Sequence, residues 1–398
     1  MKKYILKVCI ALLAVLVTVS CGNARKGEQS QKKEDVQTEA KAQVKSGDAR
    51  KAKKSKKGNA KKTGRRKKSV FIPSSAGSPY EVLLVAGAED FKSGAVDSLY
   101  GVLTDDMAGV AQPEPCFKVS RINQGDLSKT LRLCRNIIQI KIDPSQYTKA
   151  KFKYSRDVYA APQLVATIQA HDANQFKEFV SDNHDMIIDF FTRAELNRQI
   201  DILKGDHQPH ILEAVKQTFG AEIWAPVELT RIKKGRNFVW AASQDRFPKN
   251  VEQNLNIVVY SYPYRDVNTF TEAYFVRKRD SVMKANVPGP RDGQYMMTVK
   301  GFNLISEEAV HGHYAQIVRG LWNIKDYDMG GPFVSVSRVD EEHQRVVVAE
   351  AFVYYPNHPK RDILKKLEAA LYTLRLPDEL HLERFSYDLD EVIITPED

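Results

Sequence analysis

Three side chains in the sequence can line a ligand-binding cleft. Arg135 lies in the first half of the folded region, whereas Arg319 and Trp322 lie in the second, so a shared cleft would form where the two halves meet. A deep cleft that joins them to Asp or Glu would favour an enzyme with carboxylate chemistry. The alternative is that both arginines satisfy buried carbonyls or carboxylates and that Trp322 belongs to the core.

The histidine pair His311 and His313 can supply two nitrogen ligands to a metal ion, because alternate residues of a strand share a face. A zinc site needs three or four ligands and a supporting set of hydrogen-bond partners, and neither is apparent in the sequence. We therefore expect ordinary surface histidines, and we predict neither a metal site nor a cofactor.

Two charged clusters offer ion-binding groups. An acidic cluster near the C-terminus has calcium-ligand chemistry, but it lacks the Gly and the distant Glu of an EF-hand loop, so a solvated arm is favoured. A basic cluster on a predicted hairpin tip can hold an anion, although a charged turn is the commoner explanation. The acidic cluster is Asp388, Asp390 and Glu391, and the basic cluster is Arg231, Lys233, Lys234 and Arg236.

Three common catalytic motifs are missing from the sequence: the Gly-rich P-loop, His-Glu-x-x-His and Gly-x-Ser-x-Gly. This absence favours a binding protein over an enzyme. An enzyme that uses carboxylates, such as a cell-wall or glycan hydrolase, remains the alternative because its acids carry no local signature.

The net charge of +10 is unevenly distributed. Residues 21–69 contain 18 Lys or Arg against 5 Asp or Glu, whereas residues 70–398 contain 39 basic and 45 acidic side chains. The folded region is therefore mildly acidic, which argues against nucleic-acid binding. Because residues 21–69 hold no aromatic side chain, we expect a disordered tether that either contacts an anionic envelope surface or is a solvated spacer.

Residues 1–20 resemble a bacterial lipoprotein signal peptide. Three lysines precede an apolar run over residues 8–19, which is too short to span a bilayer. The resemblance implies cleavage before Cys21 and its acylation, for example with palmitate, although Thr18 departs from the usual Leu and leaves ordinary secretory cleavage open. Gly22 favours the outer membrane, with the body facing the periplasm.

Cys116 and Cys134 are then the cysteines of the folded region. The periplasm permits disulfides, and a bridge closing a loop of this length would contribute about 3 kcal/mol on the chain-entropy model. The alternative is two buried free thiols, since Cys134 borders an apolar strand and Cys116 precedes Phe117.

Apolar periodicity predicts an α+β fold of two halves, residues 70–205 and 206–376, followed by an acidic surface arm over residues 377–398. We expect mainly antiparallel sheets with helices packed on one face. Predicted strands cover residues 80–86, 133–142, 163–170, 229–233, 237–242, 256–262, 294–299, 315–324, 333–339 and 345–355; predicted helices cover 91–103, 267–283, 360–374 and a segment capped by Asp172.

Six short phrases are more specific than ordinary surface sequence. Together they resemble an uncharacterised family of bacterial envelope lipoproteins, a domain of unknown function that spans most of residues 70–374. The resemblance implies a lipoprotein and transfers no catalytic residue. The phrases are PYEV (79–82), QPEPCF (112–117), RNI (135–137), APQLV (161–165), RGLW (319–322) and MGGPF (329–333).

We therefore expect a non-enzymatic lipoprotein, anchored in the outer membrane, that binds an envelope protein as an accessory subunit in assembly or maintenance.

Overall fold

A computed structural model describes residues 72–244, residues 253–382 and Leu389. Its first sheet contains β1 (Glu81–Ala86), β2 (Lys118–Asn123), β3 (Asn136–Ile142), β4 (Lys151–Arg156) and β5 (Leu164–Ala170), in the order β2-β1-β3-β5-β4. The pairs β1–β2, β1–β3 and β3–β5 are parallel, and β4 runs antiparallel to β5. Parallel neighbours need a crossover connection, which helices provide between β1 and β2.

Helices cover one face of the first sheet. They are α1 (Ala88–Lys92), α2 (Ala95–Leu103), α3 (Ala173–Asp182) and α4 (His184–Gly205). Val82 and Leu84 of β1 pack into the core on the helical side, whereas Leu83 and Val85 pack on the other face, as strand alternation requires. Asp172 caps α3, as predicted, by accepting from the backbone N–H groups of the second and third helical residues.

The second sheet is antiparallel and much longer. Its strands are β6 (Arg231–Gly235), β7 (Phe238–Ala242), β8 (Asn254–Pro263), β9 (Met296–Thr298), β10 (Leu304–Val310), β11 (His313–Ile324), β12 (Tyr327–Asp340) and β13 (Arg345–Tyr354). The order is β10-β11-β12-β13-β8-β7-β6, and β9 pairs with the end of β11 beyond β10. Strand β10 therefore lies at one edge of the sheet.

Helices lie on both faces of the second sheet. Helices α5 (Pro209–Phe219) and α7 (Arg361–Leu371) pack on one face, and α6 (Glu272–Asn286) packs on the other. The central strand β13 shows why, because its residues are buried along nearly its whole length. A strand that is apolar on both faces needs cover on both.

Helix α4 belongs to both cores. Ile187 and Phe190, near its beginning, pack with the first sheet, whereas Ile200 and Leu203, near its end, pack with the second. The described residues accordingly form one compact unit.

The predicted α+β class is confirmed. Two details differ: the first sheet is mixed and largely parallel, and the second carries helices on both faces. The predicted signal peptide, Cys21, the predicted tether and the acidic residues Asp388, Asp390 and Glu391 lie outside the described residues. Within the described ranges, no helix is both long and apolar enough to cross a membrane.

The predicted surface arm begins inside the fold. Glu379, in a short 3-10 helix, and Leu389 are each about 2 % exposed. Glu379 pairs with the buried guanidinium of Arg338, so the prediction of a surface arm is wrong at these two positions.

Candidate functional site

A groove of about 510 Å³ opens where the two sheets approach each other. Helix α4, the edge strand β10 and helix α7 line it, together with Arg319 of β11 and the loop that carries Met107 and Cys116. Because α4 packs on the first sheet while β10 belongs to the second, neither sheet forms this groove alone.

A buried ion pair lies at the base of the groove. Arg319 donates to the carboxylate of Glu368 on α7, and the ammonium of Lys365 lies 3.1 Å from Glu368 Oε2. Burial raises the pKa of Glu368, but Arg319 and Lys365 outweigh that effect and bring the pKa below its ordinary value. Glu368 is therefore ionised at neutral pH.

Glu308 of β10 is the second carboxyl of the groove with a shifted pKa. It is half-buried, and the hydroxyl of Tyr372 donates to its Oε2 at 3.0 Å. Burial raises the pKa of Glu308 against the attraction of Arg319, and the negative charge of Glu368 raises it further.

Two neighbouring carboxyls with opposite pKa shifts are the pattern of a general acid and its ionised partner. Glu368, however, is only 1 % exposed and is occupied by Arg319 and Lys365. Only Glu308 of the two can contact a ligand, so the groove offers one accessible carboxyl with a shifted pKa, in walls that mix apolar and charged side chains.

Glu114 fastens α7 to the first part of the chain. Its carboxylate accepts from the backbone N–H groups of Lys360 and Arg361, at 2.7–2.9 Å, at the beginning of α7. A carboxylate there satisfies unpaired helical N–H groups and interacts favourably with the helix dipole. Glu114 thus fixes the helix that carries Lys365, Glu368 and Tyr372.

Arg135 lies away from the groove, in a buried polar cluster. Its guanidinium is 2.8 Å from Glu195 Oε2, and Glu195 also accepts from Asn136 and Arg198, at 2.7 and 2.6 Å. Arg135 therefore pairs with a buried carboxylate, which is the alternative to a cleft that was given for the arginines above.

Trp322 also lies away from the groove. Arg319 faces α7, whereas Trp322 packs on the α6 side of the second sheet, where it is 1 % exposed and contacts Phe352. Side chains alternate between the two faces of a strand, so residues three positions apart point to opposite faces. Arg319 and Trp322 therefore cannot line one site. The predicted cleft of Arg135, Arg319 and Trp322 is therefore wrong, and only Arg319 faces the groove.

Cys116 and Cys134 are free thiols. Cys116 packs on the helical face of the first sheet and lines the groove, whereas Cys134 packs on the opposite face. A disulfide between them would have to pass through the sheet, so the possible bridge is not formed. Burial raises the pKa of both thiols.

The predicted surface position is wrong for His311. Its side chain is 6 % exposed, with Nε2 2.9 Å from the carbonyl oxygen of Tyr372 and Nδ1 3.4 Å from Glu379. His313 is largely exposed, 3.8 Å from the same carboxylate. Within residues 72–244 and 253–382, no three metal-ligating side chains are grouped to hold an ion.

The basic hairpin makes local contacts. Lys233 Nζ donates to the carbonyl of Asn286 at 2.7 Å, and Lys234 Nζ donates to Gln217 at 2.9 Å. These bonds support the charged-turn interpretation of the cluster that also contains Arg231 and Arg236.

Glu308, Glu368 and Tyr372 were not among the residues predicted from the sequence, and Glu114 was noted only within the phrase QPEPCF. A usable signal existed for Glu368, since it lies four residues after Leu364 on the apolar face of α7. A charge on such a face calls for a buried partner. Glu308 has no comparable signal, because it lies in a polar edge strand.

Two family models match the sequence, and both describe domains of unknown function. DUF8532 matches residues 75–204 and DUF4837 matches residues 208–373. The resemblance to an uncharacterised family is supported to that extent. No curated protein matches the chain.

Solved structures of Mog1 are distantly similar. The Ran-binding protein Mog1p of Saccharomyces cerevisiae is 13 % identical, and a point mutant of Mog1 is 12 % identical. Each match covers 39 % of this chain and 90 % of the other, with a TM-score of 0.25. A likeness at this level carries no conclusion about function.

Proposed function

We propose that this protein is a lipid-anchored, non-enzymatic component of the bacterial envelope whose groove binds another envelope component. The construction of the groove carries the proposal. It is concave and built from both parts of the chain, and it places the exposed apolar residue Leu304 on the same face of β10 as the accessible carboxyl of Glu308. The lining mixes apolar side chains such as Ile188 and Leu196 with charged ones such as Asp189, which suits a partner that presents both apolar and charged groups.

The different accessibility of Glu308 and Glu368 favours binding over hydrolysis. Glycan hydrolysis by a carboxylate pair requires both groups to flank the bond that is cleaved. The burial of Glu368 and its pairing with Arg319 leave Glu308 without an equally accessible shifted partner.

The anchor part of the proposal rests on the sequence. The signal-like residues 1–20, the acylation candidate Cys21 and the resemblance to envelope lipoproteins support it, with Gly22 favouring the outer membrane and a periplasm-facing body. Two or three acyl chains anchor a protein stably where one does not. The basic residues 22–69 would add attraction to anionic headgroups.

Site-specific photocrosslinking in intact cells tests the binding function. With the photoreactive group at Thr192, in the α4 wall of the groove, we expect a defined crosslinked species. The same group at Lys153, on the exposed surface of β4, should give none. Equal crosslinking at both positions, or none at either, would show that the groove is not the binding site.

Metabolic labelling with a clickable palmitate analogue tests the anchor. The wild-type protein should be labelled and Cys21→Ser should not. Cys21→Ser should also lose membrane association. Persistent labelling of that variant would contradict lipidation at Cys21.

A carboxylate-dependent hydrolase is the second candidate, and the raised pKa of Glu308 is the observation that favours it. Purified protein incubated with peptidoglycan and envelope glycans should then release products at a rate that Glu308→Gln abolishes. Absence of products from the wild type would remove this candidate.

A further inference from the structure

Strand β10 has one open edge beside the groove. It pairs with β11 on one side, and no described strand pairs with its other side. An open edge presents unpaired backbone N–H and C=O groups, which natural sheets usually protect with charge, twist or cover. Here the edge also exposes Leu304 and Ile305, at 50 % and 40 %.

The two faces of β10 differ in chemistry. All five residues from Leu304 to Glu308 border the groove. Leu304, Ser306 and Glu308 share the face on the α7 side, because they pair with Arg319, Ile317 and Ala315 of β11. Ile305 and Glu307 share the opposite face, next to Tyr314, which is 44 % exposed and whose ring contacts that of Phe270 at 5.1 Å.

The groove side has open negative charge. The cations that line it are engaged, since Arg319 and Lys365 contact Glu368 and Arg193 lies 3.6 Å from Asp189. Asp189 of α4 is the partner of Arg193, and Asp185 is exposed with His184 Nδ1 at 2.9 Å, while Glu308 faces the same space. With Glu307 and Glu368, five acidic side chains line the groove against the three cations Arg193, Arg319 and Lys365. A cationic side chain that enters the groove would meet carboxylates on both walls.

From this geometry we propose that the occupant of the groove is an extended segment of another polypeptide, which adds to β10 as a further strand. Its alternate residues are basic on the groove side, facing Glu308 and the acids of α4, and apolar on the other side, facing Ile305 and Tyr314. Backbone pairing supplies affinity and the alternating side chains supply specificity, as in other strand-addition complexes. This inference rests on the proposed function of the groove.

Synthetic peptides and the full-length lipoprotein in mild detergent provide the test. The probe is a nine-residue fluorescent peptide in which lysine alternates with valine, and binding is followed by anisotropy. We expect saturable binding that falls at least tenfold for a peptide of the same composition with its lysines in one block. It should fall further when glutamate replaces lysine.

Two N-methylated peptides test backbone pairing. Only one set of alternate N–H groups of an added strand faces its neighbour, so methylating one set should abolish binding while methylating the other leaves most of it. Hydrogen exchange should slow at residues 304–310 in the complex. Equal effects of both methylations, or no protection there, would overturn the inference.

Variants locate the charge contact. Glu308→Gln should weaken the alternating peptide at least fivefold, and Glu342→Gln, at an exposed turn away from the groove, should leave its affinity unchanged. A similar loss in both variants would show non-specific attraction and reject the inference. Concentration-dependent dimerisation that the peptide reverses would identify a second copy as the occupant instead.

Failure of this inference is distinguishable from failure of the proposed function. Crosslinking from Thr192 without order-dependent peptide binding would keep the groove as a binding site and reject strand addition. Absence of crosslinking from Thr192 would reject the site itself.

Discussion

Glu308 and Glu368 face the same groove, and the pKa values of their carboxyls are shifted in opposite directions. Burial raises both, but Arg319 and Lys365 reverse the effect at Glu368, whereas the negative charge of Glu368 adds to it at Glu308. Glu368 is held in an ion pair within the protein, whereas the carboxyl of Glu308 is accessible from the groove.

The pair of Arg319 and Glu368 should be important for stability. Glu368→Gln leaves the buried guanidinium without its counter-charge, and we expect a loss of about 3–5 kcal/mol in the free energy of unfolding. Urea denaturation at pH 7 measures it. The exposed pair of Glu89 and Lys92 is the control, since Glu89→Gln should produce no measurable change. Equal effects of the two variants would contradict the assignment of a buried pair.

Glu379 should make the fold sensitive to acid. Burial opposes its ionisation, but hydrogen bonds from His311 and Arg338 lower the pKa of Glu379 from 4.5 to about 2. A carboxyl whose pKa is lowered by folding stabilises the folded state at pH values above its pKa in the unfolded chain. That contribution is lost as the pH falls from 4.5 towards 2. Glu379→Gln should lower stability at pH 7 and flatten this acid-side decline, as denaturation at a series of pH values would reveal. A decline as steep as that of the wild type would contradict this role.

Gly331 should tolerate no side chain. Gly330 and Gly331 both lie within β12, where a Cβ on Gly331 would overlap the carbonyl oxygen of Val353. Gly331→Ala should cost about 1–3 kcal/mol, measured by thermal and urea unfolding. As a control, Gly101→Ala in helix α2, where a Cβ meets nothing within 4 Å, should stabilise by about 0.5–1 kcal/mol.

The two thiols of the body should remain separate. Because burial raises the pKa of Cys116 and Cys134, both should alkylate slowly in the native protein and fully after unfolding without reductant. Peptide mapping after differential alkylation checks each position. A peptide pair joined through these two cysteines would contradict their placement on opposite faces of the first sheet.

The sequence predicts the central strands better than the edges. β3, β5 and β13 carry long apolar runs, and all three were found close to their predicted positions. The edge strands β2, β4 and β10 were missed, because a strand exposed on most of its length has no clear alternation of apolar and polar residues.

Contacts between residues far apart in the chain could not be predicted from the sequence, for another reason. Arg319 and Glu368 are separated by 49 positions, and only the packing of α7 on the second sheet brings them together. The phrases QPEPCF and RNI were unusual because Glu114 and Asn136 make tertiary contacts. Their chemistry could be noticed in the sequence, but their partners depend on topology.

Because helix α4 packs in the cores of both sheets, the boundary between the two family matches is not a boundary between two independently folded cores. The two family matches end and begin on either side of its C-terminus, at residues 204 and 208, yet Leu196, Ile200 and Leu203 complete the core of the second sheet. Residues 208–373 expressed alone would leave an apolar cavity where these side chains belong, and residues 75–204 alone would carry them into solvent. The two regions should therefore melt in one cooperative transition, and an insertion or deletion within α4 would be felt in both at once.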